Sequence, residues 1–180
     1  MAKALLVIDM LNDFVLPGAP LEVPRTRAIL PRLLQRLDAA RQAGIPVIYV
    51  CDGHRPDDRE FVRMGWPPHA VAGTPGAEVV AELAPQAGES RVVKQTYSGF
   101  YGTELDSLLR GLGVDELILT GCVTNICILY TAADAVMRGF RVRVPVDAVA
   151  DLDPADGAFA LQQMERVLGV TLEQSGLEIR

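Results

Sequence analysis

Short apolar runs alternate along this chain with longer segments in which apolar residues recur every three or four positions. The runs are residues 3–8 (KALLVI), 45–51 (IPVIYVC), 91–94 (RVVK), 116–120 (ELILT) and 140–145 (FRVRVP). Their length and β-branched content suit strands, the most apolar of them buried on both faces. Between the first two, Leu30, Leu33, Leu34, Leu37 and Ala40 share one helical face, in a segment predicted to begin near Pro31 and to stop at Gly44. Thr103 with Asp106 resembles a capping box, followed by Leu105, Leu108, Leu109 and Leu112 and a stop at Gly113. The pattern predicts further helices over 125–138 and 154–168, the last with Leu161, Met164 and Leu168 in register, and a short one near 76–83.

Strands that alternate with helices in this way predict an α/β fold: three layers, αβα, around a mostly parallel, doubly wound Rossmann-like sheet. A chain of 180 residues fits one core, so a single domain over residues 1–180 is expected. Ligands of such sheets bind at the carboxyl ends of the strands. Asp9, Asp52 and Lys94 each end a run there, and the turn Gly121 to Cys127 follows the fourth. Residues 53–74 hold Pro56, Gly65, Pro67 and Pro68, show no sustained period and contain both histidines, His54 and His69. Structureless loops of that length are uncommon in compact domains and are often functional.

Composition narrows the partners. Hydrophobic residues are 49% of the chain and charged residues 22%, with no apolar run near the roughly 20 residues of a membrane span. The N-terminus lacks the order of a signal peptide, since Asp9, Asn12 and Asp13 follow its apolar stretch. A cytoplasmic protein that does not engage a membrane is expected. The net charge of −6 argues against nucleic acid, whose partners carry a basic excess, and leaves small molecules. Three cysteines, at 51, 122 and 127, make no even disulfide framework, so at least one is a free thiol.

The rim supplies candidate chemistry. Cys127 lies three residues after Thr124, a candidate N-cap, so unpaired N–H groups and a helix dipole would favour its thiolate and an oxyanion beside it. Asp9, with its proton affinity raised by a partly apolar site, would serve as the base, and Lys94 would hold base and sulfur together. Asp52, His54 and His69 offer one carboxylate and two imidazoles, a common open site for zinc, manganese or iron, to which Glu60 could add an oxygen. Trp66 and Phe14 could sandwich a flat substrate. Each has an ordinary alternative: an inert buried thiol, strand-end residues facing water, solvated loop histidines, a lid tryptophan packed on the core.

These residues together resemble the cysteine hydrolases of the isochorismatase-like superfamily, and within it the nicotinamidases. VIDMLNDF (7–14) is similar to V-x-D-x-Q-N-D-F, with Leu11 for the Gln. WPPHAVAGTPGAE (66–78) is similar to W-P-x-H-C-V-x-G-T-x-G-A-E, with Ala70 for the Cys. Lys94 with YSGFYGTELD (97–106) resembles the lysine segment, and GCVTNICI (121–128) resembles G-x-x-T-D-x-C-V. The resemblance implies Cys127 as nucleophile rather than Cys122, Asp9 as general base, and Lys94 as the third member of the triad. It further implies a cis peptide between Cys122 and Val123, with the N–H groups of Val123 and Cys127 forming an oxyanion hole. Metal ligation by Asp52, His54 and His69, an aromatic clamp of Phe14 and Trp66, a nicotinamide substrate and a homo-oligomer are also implied. RPDDREFVRMG (55–65) lacks the H-x-S-F of many nicotinamidases, and the helix near Asp156 has no matching histidine. Another small amide or carbamoyl compound is therefore the alternative substrate.

Overall fold

The computed structural model describes residues 2–174; Met1 and 175–180, the outermost residues of the expected domain, lie outside it. In chain order the elements are β1 (Lys3–Ile8), α1 (Asn12–Val15), α2 (Thr26–Gln42), β2 (Val47–Asp52), α3 (Arg59–Met64), β3 (Ser90–Lys94), α4 (Leu105–Gly111), β4 (Glu116–Cys122), α5 (Leu129–Met137), β5 (Arg141–Pro145), β6 (Val149–Ala150), α6 (Pro154–Leu168) and β7 (Thr171–Glu173). The strands form one sheet in the order β3-β2-β1-β4-β5-β7, with β6 beside the end of β4. Every pairing is parallel. Among the described residues no helix is long and apolar enough to cross a membrane.

Side chains alternate across the sheet and so build two cores. Ala4, Leu6 and Ile8 of β1 face Leu105, Leu109, Ile128, Ala132, Ala135 and Met164 on one side. Leu5 and Val7 face Ile29, Leu33, Leu37 and Ala40 of α2 on the other. The three-layer αβα arrangement is thus set by the period of two along one strand meeting the wider stripe of each helix.

Several predicted boundaries move. Helix α2 begins at Thr26 rather than near Pro31, because Thr26 Oγ1 and N–H both donate to Val23 O, at 2.7 and 2.9 Å, and start the helix there. Pro31 lies on its exposed face, where the missing N–H costs one backbone bond. The buried stripe is Thr26, Ile29, Leu33, Arg36, Leu37 and Ala40, so Leu34 is outward-facing. The short helix expected near 76–83 is two separate 3₁₀ turns, Pro75–Ala77 and Ala81–Leu83. Within the long loop a helix forms, α3, capped by Asp58 and ended by Gly65 at φ 66°; six residues are too few to give a visible period. Strands β6 and β7 are likewise too short to stand out.

Candidate active site

Register brings the site together. Ile8 pairs with Val50 on one side and Gly121 on the other, and Asp52 pairs with Lys94, so Asp9, Asp52, Lys94 and the turn after β4 share one rim. Gly121 has φ +110°, and a Cβ on it would stand 2.0 Å from Ile8 O. Only glycine permits β4 to pass so close to the end of β1. Asp9 itself has φ 52°, a conformation that short polar residues tolerate. Its Oδ1 accepts the Asp52 N–H at 2.7 Å and its carbonyl accepts from Cys122 Sγ at 3.2 Å.

Lys94, fully buried, is the hub. Its Nζ bonds Asp52 Oδ1, lies 2.7 Å from Asp9 Oδ2 and lies 3.4 Å from Cys127 Sγ. Burial alone would expel its charge, but the two carboxylates outweigh burial and hold Lys94 well above the usual lysine range. Burial, then the Asp52 carboxylate, push Asp9 up to about 6 against the pull of Lys94. Asp52, although buried, is held below the usual carboxylate range by Lys94 and His54. Burial also pushes the Cys127 thiol well up, with Asp9 and Asp52 adding to it and Lys94 opposing. Burial and the two carboxylates thus favour the thiol form of Cys127, against the pull of Lys94 and of a helix N-terminus toward the thiolate.

The turn after β4 differs from a plain helix start. The Cys122–Val123 peptide is cis, and residues 124–128 form a π-type turn before α5. Thr124 makes no capping bond; the cap position is Val123. Val123 O accepts from the N–H groups of Ile126 and Ile128, at 3.0 and 3.2 Å, which leaves the Cys127 N–H out of that pair. Cys127, 8% exposed, opens onto a small pocket.

Asp52 links this cluster to a second one: Asp52, His54 and His69 each offer one ligand atom within 4.8 Å of the others, as do Asp9, Asp52 and Cys127. The carboxylate and two imidazoles of the second cluster fit a divalent ion. His54 Nε2 is buried without a hydrogen-bond partner and faces Asp52 Oδ2 at 3.5 Å. Its Nδ1 meets Asp58 Oδ2 at 3.1 Å, and His69 Nδ1 meets Pro67 O at 2.8 Å. Each ring thus has one nitrogen engaged by an acceptor, which keeps the other available as a ligand. Although burial opposes it, Asp52 and Asp58 raise His54 to about 9, whereas burial and the His54 charge lower His69. A cation at this place would replace the proton on His54. Glu60 is buried and lines the pocket but lies outside this three-residue group.

Phe14 and Trp66 also line the pocket, each edge-on to His69, at centroid distances of 5.5 and 5.9 Å. The sequence reading missed Tyr97, Leu21 and Ile126, which complete the lining. Tyr97 sits in the lysine segment, three residues after Lys94, and its signal was present but unassigned. Leu21 is an apolar loop residue and Ile126 an apolar residue of the turn before α5, and neither carries a chemical signal in the sequence.

The isochorismatase domain family matches residues 3–175. The chain belongs to the isochorismatase family. A nicotinamidase/pyrazinamidase of Mycobacterium tuberculosis is 33% identical over 178 residues, covering 90% of this chain and 94% of that protein. The structure of N-carbamoylsarcosine amidase from Thermoplasma acidophilum superposes with a TM-score of 0.90 at 38% identity, over all of both chains. Pyrazinamidase of Pyrococcus horikoshii in complex with zinc gives 0.90 at 34% identity, over 97% of this chain and 100% of that one. With family membership, the protein is a hydrolase acting on amides.

Proposed function

We propose that this member of the family hydrolyses nicotinamide to nicotinate and ammonia, in the cytoplasm, through a thioester on Cys127. The observation that carries the reading is the convergence of two sets on one pocket. Asp9, Lys94 and Cys127 meet Asp52, which also groups with His54 and His69, and Phe14 and Trp66 line the same pocket as Asp9, Asp52, His69 and Cys127. Asp52, His54 and His69 would hold a divalent ion, whose chemistry when bound is that of a Lewis acid toward a pyridine nitrogen. The Pyrococcus horikoshii pyrazinamidase in complex with zinc supports that assignment.

Asp9, ionised at neutral pH, takes the Cys127 proton as the sulfur attacks the amide carbon. Lys94 stays charged and balances the carboxylate and the sulfur throughout. The N–H groups of Val123 and Cys127 receive the oxyanion of the tetrahedral intermediate. Asp9 then returns the proton to the leaving nitrogen, so that ammonia departs and the acyl group remains on sulfur. Water that gives its proton to Asp9 attacks the thioester, the acid leaves, and the proton goes back to Cys127. Phe14 and Trp66 hold the ring so that the carbonyl stays within reach of the sulfur.

A second reading, supported by the likeness to N-carbamoylsarcosine amidase, keeps the same triad but takes a carbamoyl compound. The discriminating experiment measures ammonia release by the zinc-loaded protein from nicotinamide and from N-carbamoylsarcosine. The proposal expects kcat/KM for nicotinamide of about 10⁴ M⁻¹s⁻¹ or more, abolished by chelation and restored by refilling. Turnover of the carbamoyl compound alone, unaffected by chelation, would overturn it.

A further inference from the structure

Asp58 belongs to no set described so far, yet its two carboxylate oxygens do two different things. Oδ1 accepts the Glu60 N–H at 2.9 Å and so caps α3. Oδ2 meets His54 Nδ1 at 3.1 Å. The helix that Asp58 starts then returns to the same place. Phe61 packs against His54 and His69, with centroids 5.2 and 5.0 Å away, and Glu60 reaches the pocket lining. His54 is 1% exposed and its Nε2 has no hydrogen-bond partner of its own. Asp58 is therefore the side chain that fixes which nitrogen of His54 points toward Asp52 and His69.

We infer that Asp58 is the positioning residue for the metal ligand His54, and that through its second oxygen it ties the ordering of α3 to occupancy of the metal site. The inference rests on the reading of Asp52, His54 and His69 as metal ligands. Its physical content is a shared carboxylate. A cation held by His54 would restrain its ring and, through the Oδ2 contact, the carboxylate whose other oxygen starts the helix. The two roles can be separated by substitution. Asp58→Ser keeps a good capping oxygen but has no second acceptor for His54, and Asp58→Asn has a single acceptor oxygen, so one of the two bonds must go.

The test is zinc affinity of the full chain, measured by competition with a chromophoric chelator. It is read beside the melting temperature of the metal-free protein and the hydrogen exchange of residues 59–64 with and without zinc. Asp58→Ser and Asp58→Asn should each weaken zinc binding about 10- to 100-fold. The metal-free melting temperature should stay near that of the wild type, because both residues cap well. Zinc should slow exchange in residues 59–64 of the wild type and lose that effect in the variants. Zinc affinities within threefold of the wild type would overturn the inference while leaving the metal reading intact. So would weaker binding accompanied by an equivalent fall in metal-free stability, since the cap alone would then account for it. A wild type that binds no zinc would overturn the metal reading and this inference with it.

Discussion

At the scale of single residues, the site depends on opposed proton affinities packed within a few ångströms. Asp9 sits at about 6 because burial and the Asp52 carboxylate raise it more than Lys94 lowers it. The Cys127 thiol is pushed well above its ordinary value by the same burial. A base that must be ionised to take a proton loses function as it is protonated. The acid limb of kcat/KM should therefore break near pH 6, with activity present above and falling about tenfold per pH unit below. Asp9→Asn should remove about 10²- to 10⁴-fold of kcat while far-ultraviolet circular dichroism stays that of the wild type. A flat profile from pH 5 to 8, or a variant within about tenfold of wild type, would remove Asp9 from the role of base. The sequence displayed Asp9, Lys94, Asp52, His54 and His69 because each is a polar residue where an apolar run ends or in the long loop, and Cys127 because it falls in the first turn of a predicted helix on the same rim. It did not display Asp58, whose importance comes from the second oxygen of a capping carboxylate, nor Leu21 and Ile126, which matter only as walls.

At the scale of elements, what was legible was what periodicity can register. Strand β1 and helix α6 lie where the pattern put them, Lys3–Ile8 and Pro154–Leu168, because each is long enough or apolar enough to repeat. Helix α3 and strands β6 and β7 escaped because tertiary pairing and a cap, rather than pattern, hold them. The turn after β4 reads as a helix start in sequence but is a π-type turn, in which Val123 O accepts from the N–H groups of Ile126 and Ile128. Gly121 gives this scale its prediction. Alanine there would meet Ile8 O at 2.0 Å at φ +110°, whereas alanine at Gly139, φ +85°, meets nothing within 4 Å. Chemical denaturation should show Gly121→Ala costing about 3 kcal/mol or more, or failing to fold, against about 1 kcal/mol for Gly139→Ala. Equal losses at the two sites would mean that the close approach of β4 to β1 does not constrain the fold.

At the scale of the whole molecule, one parallel sheet turns residues far apart in sequence into neighbours. Asp9 and Cys127 are brought within reach because β1 and β4 are adjacent at the centre of the sheet, and Lys94 arrives from β3 at its edge through Asp52 on β2. The fold class was readable from the alternation of runs and stripes. The strand order was not, since each helix can return its chain to either side. Around one pocket this geometry gathers the Cys127 sulfur, the Asp9 carboxylate and, bonded to both Asp9 and Asp52, the Lys94 ammonium, with His54 and His69 grouped on Asp52. Acylation of Cys127 is the step on which the account stands. Zinc-loaded protein mixed with nicotinamide, quenched in acid and digested, should yield a nicotinoyl thioester on the peptide that carries Cys127, and none on Cys51 or Cys122. Nicotinate that accumulates while Cys127 stays unmodified, or an acyl group found on Cys122, would contradict it.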